Sequence, residues 1–144
     1  MVERGLVTYR AVAEPKAVRR ISLRYINRIQ LREHAVQIED YILALPQLPD
    51  PVPQVFASWV QRVEVPFEDS NGILVIQSGS INEPQSVGVA FMLDLEFSTL
   101  RPEAVSLGAT MDWIEKAHEE VEATFEACVT AKTKALFNEV SGHE

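Results

Sequence analysis

A chain of 144 residues has the size of one ordinary domain and can bury roughly 68–70% of its unfolded surface. A hydrophobic fraction of 47% and a charged fraction of 24% exclude disorder as the global state. The single cysteine, Cys128, excludes an internal disulfide, and the lack of a Cys/His cluster excludes a structural zinc site.

The net charge of −8 argues against a general nucleic-acid binder, because affinity for phosphate backbones comes mostly from Lys and Arg. The charge is uneven, since residues 1–34 hold eight of the thirteen basic side chains and only three acids. The N-terminus shows no signal-peptide pattern, and no segment approaches the roughly 20 apolar residues of a membrane span. We therefore expect a soluble cytoplasmic protein that does not bind membranes.

The first predicted element is a strand over residues 17–31. Apolar and polar side chains alternate there, and a two-residue period with β-branched and aromatic residues is typical of a half-buried strand. One face receives Ile21, Leu23, Tyr25, Ile29 and Leu31, and the other receives Arg20, Ser22, Arg24, Arg28 and Gln30. Ile26 and Asn27 break the alternation, one on each face.

A short helix and a proline-rich connector are predicted next. Residues 37–45 place four apolar side chains at i, i+3, i+4 and i+7, which is the pattern of an amphipathic helix that ends before Pro46. Four prolines between residues 46 and 53 predict a stiff, extended connector inside the domain. A ligand for a proline-recognition domain is the alternative interpretation of this stretch.

Three further strands are predicted in close succession, over residues 56–67, 72–80 and 86–99, and the last of them alternates most regularly. The Asn-Gly pair within residues 69–72 predicts a tight hairpin, because both residues tolerate positive φ. Residues 82–85 predict the next turn. Such short links make the three strands an antiparallel meander.

The remainder is predicted to be helical over residues 102–140. The predicted core seam steps by threes and fours through Leu107, Met111, Ile114, His118, Val121, Phe125, Cys128, Lys132 and Ala135. Because Thr130 can act as an N-cap, we expect a break there into a second short helix. The predicted fold is one α+β domain over residues 1–144, in the order β-α-β-β-β-α: a four-stranded, mostly antiparallel sheet with the long C-terminal helix packed on one face.

The first strand carries a motif of its own, RISLRYINRI over residues 20–29. It resembles the Arg-Ile-Gly-Leu-Arg-Tyr-Ile-Asn-Arg-Ile strand of a sporadically distributed family of uncharacterised microbial proteins, with Ser22 at the family's glycine. Other residues that fit this family are Asp94, His118, Phe125, Glu126 and Thr130. Family members are generally longer, so the resemblance implies that this chain matches the C-terminal part of the family pattern. It implies no particular activity.

His118 is the first candidate for chemistry. Glu115 and His118 have the Glu-x-x-His spacing of di-iron helical proteins, but such a site needs a second copy of the motif and two further carboxylates. We therefore predict a buried, hydrogen-bonded histidine, and we expect Cys128 to be a small core residue. No phosphate-binding or nucleophile-elbow motif occurs. The sequence thus predicts no catalytic residue, no metal site and no cofactor.

The strongest candidate site is a row of arginines on the first strand, and the candidate ligand-binding set is Arg20, Arg24, Arg28 and Asn27. Residues four apart on a strand lie roughly 13 Å apart on one face, so the guanidiniums could hold a phosphorylated ligand, RNA or an acidic peptide. The alternative is a ladder with carboxylates of neighbouring strands, such as Asp94, Glu96 and Glu64. We expect Arg24 to pair with an acid of the adjacent strand, and Asn27 to make a buried structural hydrogen bond.

Two functional hypotheses follow. The first is a non-enzymatic protein-interaction or oligomerisation module, whose element order is similar to that of SecB-type export chaperones. The second is a ligand- or nucleic-acid-binding domain that uses the arginine face. Arginines paired with carboxylates favour the first hypothesis, and an open row lining a pocket favours the second. We also expect a homodimer, because a lone four-stranded sheet leaves two edges that invite pairing.

Overall fold

Four strands and two α-helices make up the described part of the protein. The computed structural model describes residues 15–85 and 87–141, and their side chains as far as residue 138. The strands are β1 (Ser22–Leu31), β2 (Val60–Phe67), β3 (Gly72–Ile81) and β4 (Val89–Thr99), and the helices are α1 (Thr110–Cys128) and α2 (Ala131–Ser141). The predicted α+β class is therefore confirmed.

All neighbouring strands of the sheet are antiparallel, in the order β1-β4-β3-β2. β2, β3 and β4 form the predicted meander, whereas β1 enters through a long connection and lies beside β4. The alternation of apolar residues aligns the strands, so that Leu95 of β4 lies between Tyr25 of β1 and Ile76 of β3. Among the described residues, β1 and β2 are thus the two edge strands.

The side chains of β4 show the two faces of the sheet. Four of them are fully buried beneath the helices: Phe91, Leu93, Leu95 and Phe97. The intervening residues lie on the opposite face, which we call the open face. Ile26 of β1 and Val60 of β2 are 60% and 78% exposed there. The hydrophobic core therefore lies between the sheet and the helical layer.

The stripe that α1 presents to the sheet agrees with the predicted seam at Val121 and Cys128 and departs from it in the first half of the helix. Its buried apolar side chains are Trp113, Ala117, Val121 and Cys128. Ile114 and Phe125 pack against this core as predicted, but the predicted burial of His118 is wrong, because its side chain is 55% exposed. The indole of Trp113 packs on Phe97, with 5.5 Å between ring centroids, and this contact turns Ala117 rather than His118 towards the sheet.

The helix break predicted near Thr130 is confirmed. Val129 has extended backbone, and Thr130 Oγ1 accepts a hydrogen bond of 3.4 Å from the N–H three residues later, so Thr130 caps α2. The helical region starts later than predicted, since a 3-10 turn, Leu107–Ala109, precedes α1. Within residues 15–85 and 87–141, no helix is long and apolar enough to cross a bilayer.

The helix predicted over residues 37–45 is reduced to a 3-10 turn, Ile38–Asp40. The backbone that would continue the helix pairs instead with the end of α1. Ile42 forms a β-bridge with Val129, and Leu43 N–H donates to the Cys128 carbonyl at 2.8 Å. These tertiary pairings replace the helical hydrogen bonds, so the connection from β1 to β2 crosses the helical side of the sheet in an irregular conformation.

The link between β2 and β3 is a loop over residues 68–71 rather than the predicted tight hairpin. Glu68–Ser70 forms a 3-10 turn, and Asn71 adopts the left-handed conformation with φ of 48°. Gly72 is required for a different reason, because a β-carbon at this position would overlap the ring of Phe97. The aromatic ring therefore packs directly on the backbone of β3.

Candidate functional site

Arg24, in the middle of the arginine row, forms a bidentate ion pair with Asp94 of β4. Its Nε and Nη2 atoms donate to the two carboxylate oxygens at 2.9 and 2.5 Å. The side chain of Asp94 is 6% exposed and that of Arg24 is 53% exposed, so the arginine supplies the counter-charge for a buried carboxylate. Hydrogen bonding to Asp94 and the charge of Asp94 raise the pKa of Arg24 above its usual value. The predicted pairing with an adjacent strand is confirmed.

Arg20 and Arg28 flank this pair on the open face. Arg20 Nη2 donates to Glu96 Oε1 at 2.8 Å, and Ser22 Oγ donates to the same oxygen at 2.5 Å. Arg28 donates to both oxygens of Glu83, in the loop between β3 and β4, at 2.8 and 3.1 Å. The hydrogen bonds and charge of Arg28 lower the pKa of Glu83. Every guanidinium of the row therefore has a carboxylate partner, and the row is a charge-balanced ladder.

Asn27 does not join the arginines. It lies on the helical side of β1, opposite Leu93, whereas the arginine row lies on the open face. The half-buried side chain donates from Nδ2 to the Leu93 carbonyl at 3.3 Å, which is the structural hydrogen bond expected from the sequence. The four candidate residues of the sequence are therefore split between the two faces of the sheet, with Arg20 just before the start of β1.

A groove of about 210 Å³ lies between β1 and α1. Its lining comprises Tyr25, Asn27, Leu95, His118, Val121, Glu122 and Phe125. The ring of His118 meets that of Tyr25 edge to face, with 6.1 Å between centroids, and His118 Nδ1 is 3.9 Å from Glu122. A second depression further along β1 is lined in part by Phe125 and Phe137. The ion pair of Glu126 and Lys134 also lines the second depression, which is therefore partly polar, and we call both depressions together the β1–α1 groove.

Cys128 and His118 lie in different surroundings on α1, since the first is buried and the second is exposed. Cys128 is buried as predicted, and burial raises the pKa of its thiol. Among the described residues, no three His, Cys, Asp or Glu side chains are grouped so as to hold a metal ion. The side chain of His118 instead contributes to the rim of the β1–α1 groove.

The outer edge of β1 is a feature that the sequence motifs do not reveal. Thr99 N–H donates to the Ile21 carbonyl at 2.9 Å, which makes these residues a hydrogen-bonded pair of the antiparallel ladder. Such pairs recur at every second residue, so the odd-numbered residues of β1 bond to β4. The even-numbered residues, including Arg24, Ile26 and Arg28, direct their N–H and C=O groups away from the sheet. β1 has ten residues without proline or glycine and, within residues 15–85 and 87–141, no strand on its outer side, so it offers a long backbone edge there.

The opposite edge, on β2, is protected against pairing. Ser80 N–H donates to the Trp59 carbonyl at 3.0 Å, so the even-numbered residues of β2 direct their backbone groups outward. Pro66 is one of these residues and has no N–H to donate. Arg62 and Glu64, which pair with each other at 2.7 Å, occupy two other outward positions. The signal was present in the sequence, because a proline inside a strand pattern marks an edge strand.

Comparisons with protein-family models, with curated protein sequences and with solved structures found no match to this chain. The resemblance of the first strand to the sporadically distributed microbial family therefore stays a prediction. The edge of β1 and the β1–α1 groove beside it are the features from which a function can be argued.

Proposed function

We propose that the chain is a non-enzymatic protein-interaction module that associates by adding a β-strand to the outer edge of β1. The observation that carries the proposal is the contrast between the two edges of the sheet. β1 directs a series of backbone donors and acceptors outward, whereas Pro66 interrupts the equivalent series on β2. In strand addition, backbone hydrogen bonds supply affinity and pockets for alternate side chains supply selectivity. The β1–α1 groove provides such pockets on one side of the strand, and exposed Ile26 lies on the other.

Ligand or nucleic-acid binding by the arginine row is the weaker candidate. A phosphate or acidic peptide that took the Arg24 guanidinium would leave Asp94 buried without its counter-charge, which is costly. Glu96 and Glu83 pair with the two flanking arginines, but these carboxylates are more exposed than Asp94, so the loss of their arginines would cost less. We interpret the row as the support that holds β1 on β4, and the element order of SecB-type chaperones as an analogy of fold only.

A proline substitution on each edge tests the proposal. Ile26 directs its N–H outward, so Ile26→Pro removes a donor from the β1 edge without breaking a bond to β4. Arg62→Pro is the matched control, because Arg62 has the same outward orientation on β2. We expect light scattering to give the wild type and Arg62→Pro a mass above the 16.2 kDa of one chain, and Ile26→Pro a mass of 16.2 kDa. Circular dichroism checks that both variants fold.

Amide hydrogen exchange provides a second, independent measurement. The outward amides of Arg24, Ile26 and Arg28 should exchange slowly when a strand occupies the edge, and rapidly when it is vacant. A synthetic peptide with the sequence of residues 20–32 serves as a probe strand for any vacant edge. The proposed function is rejected if these amides exchange rapidly at every protein concentration and the peptide does not slow them.

A further inference from the structure

A second copy of β1 can occupy the β1 edge only in a few registers. Two-fold symmetry of an antiparallel pair places one residue opposite its own copy. The outward backbone groups belong to even-numbered residues, so even-numbered residues must face even-numbered ones and odd must face odd. Side chains of the same face then meet. The helices of both copies lie on the same side of one continuous sheet.

Charge excludes several of these registers, because like charges directly opposite each other destabilise an antiparallel pair. A pair centred on Arg24 or on Arg28 sets that arginine against its own copy. A pair centred on Ile26 sets Arg24 against the partner's Arg28 at both ends. All three registers would also crowd the carboxylates that hold these arginines on the open face.

Length selects among the registers that remain. A pair centred on Tyr25 joins only residues 22–28 of each copy, whereas a pair centred on Asn27 joins residues 23–31. In the second register Arg24 faces the partner's Gln30. We propose that β1 pairs antiparallel with β1 of a second copy, with Asn27 opposite the partner's Asn27. This inference rests on the proposed function and names its partner.

The proposed register gives Asn27 a role. Its Nδ2 atom makes one hydrogen bond, to the Leu93 carbonyl, which leaves a second N–H and the side-chain oxygen for another amide. Two facing Asn27 side chains can therefore satisfy each other. Around them Leu23 faces the partner's Leu31 and Tyr25 faces the partner's Ile29, so the other facing side chains of β1 on the helical side are apolar. A single polar pair in such surroundings specifies register, since any shift would leave the amides unpaired.

The same register covers exposed apolar surface on both sides of the strand. Ile26 is 60% exposed and would face the partner's Arg28, whose alkyl stem can cover it. On the helical side Tyr25 is 41% exposed and Phe137 is 37% exposed. Phe137 contacts Phe125, with 5.9 Å between ring centroids, in the part of the β1–α1 groove next to Asn27. Pairing would join the grooves of the two copies.

The distribution of charge favours this surface for self-association. The whole chain has a net charge of −8, but the described residues 15–34 hold six basic side chains against one acid. The arginines of β1 are balanced by acids of the same chain. Two acidic copies therefore repel each other least where their β1 strands meet.

Disulfide trapping tests the register. Single cysteines replace Tyr25, Ile26 or Asn27 in a Cys128→Ala background, and each variant is exposed to oxidised glutathione. Residues at the centre of a pair lie about 4.5–5.5 Å apart at Cα, which suits a disulfide. We expect Asn27→Cys to cross-link at least about tenfold faster than Ile26→Cys or Tyr25→Cys. A mixture of Ile26→Cys and Arg28→Cys should form the mixed disulfide, which keeps the test valid if Asn27→Cys fails to fold.

The possible results separate the two proposals. If Ile26→Cys or Tyr25→Cys cross-links fastest, the register is wrong and the proposed function stands. If no variant or mixture cross-links while the outward amides of β1 are protected, the occupant is another strand or β1 in a distant register, and this inference is overturned alone. If no cross-link forms and those amides exchange rapidly with and without the probe peptide, both proposals fail.

Discussion

The burial of Asp94 determines what the loss of either partner of the Arg24–Asp94 ion pair should cost. Its carboxylate is buried, whereas Arg24, which neutralises it, is about half exposed. Removal of the arginine therefore leaves a charge that water cannot reach, and removal of the aspartate leaves a charge that water can solvate. The two ends of this ion pair are not equivalent.

Arg24→Ala should accordingly lower the melting temperature more than Arg62→Ala does. Arg62 pairs with Glu64 on its own strand, both side chains are about half exposed, and such pairs contribute at most about 1 kcal/mol. Differential scanning calorimetry of the two variants and the wild type makes the comparison. If Arg24→Ala keeps the wild-type melting temperature but loses bound RNA or anionic ligand, the row is a binding site rather than a structural ladder.

Single residues also show which side-chain contacts can be predicted from the sequence and which cannot. The pairing of Arg24 follows from the alternation of β1 and the acids of β4, so it could be predicted. The partner of Arg28 is Glu83 in a loop, and no periodicity places a loop side chain. Gly72 was assigned to the turn for its φ, whereas its real constraint is the ring of Phe97, which comes close only once the sheet has formed.

At the scale of elements, the period of the hydrophobic pattern predicts whether a segment is a strand or a helix better than it predicts which face is buried. The alternation of β4 predicts both the strand and its buried face, because a strand has only two faces. A helix can rotate, and in α1 Ala117 takes the buried position that the predicted seam gave to its neighbour His118. Packing of Trp113 on Phe97 selects this orientation, and that contact is not local in sequence. The helix predicted over residues 37–45 fails for a similar reason, since the end of α1 competes for its backbone.

The buried face of β4 yields a stability prediction. Phe91 is fully buried and packs on the ring of Trp59, with 6.3 Å between ring centroids. Phe91→Ala should lower the free energy of unfolding by about 3–5 kcal/mol, because it removes apolar contact and leaves a cavity. Val63→Ala is the control, since Val63 is 42% exposed and its loss should cost within about 0.5 kcal/mol. Urea titrations measure both, and equal midpoints would contradict the assigned core.

At the scale of the whole molecule, the charge of −8 determines how salt should act on self-association. Two acidic copies repel each other over distances comparable with the Debye length, which is about 10 Å at 0.1 M salt. We expect the dissociation constant of the proposed dimer to fall several-fold as sodium chloride rises from about 0.05 to about 0.3 M. Sedimentation velocity at matched protein concentrations measures it, with Ile26→Pro as the monomeric control. Weaker association at higher salt would instead indicate ion pairs between the copies.

The exposure of the β1 edge depends on the order of the strands in the sheet, which the sequence does not predict. Short links predict the meander of β2, β3 and β4, but they do not say which side of the meander receives β1. Addition beside β2 would have buried the edge that carries Pro66 and exposed β4. The observed order, β1-β4-β3-β2, instead leaves β1 outside. The proline was a local sign that β2 is an edge.

The long crossover from β1 to β2 also has a consequence for how the chain folds. Ser22 pairs with Ser98 and Leu31 with Val89, whereas the pairings within the meander close over short loops. Closing long loops costs more entropy, so the meander should form first and β1 should dock last. Until it does, β4 is itself an open edge, and the connection over residues 32–59 is long enough to deliver β1 to a neighbouring molecule. Refolding at high concentration is therefore expected to yield molecules that have exchanged their first strands, and dilution is expected to prevent it.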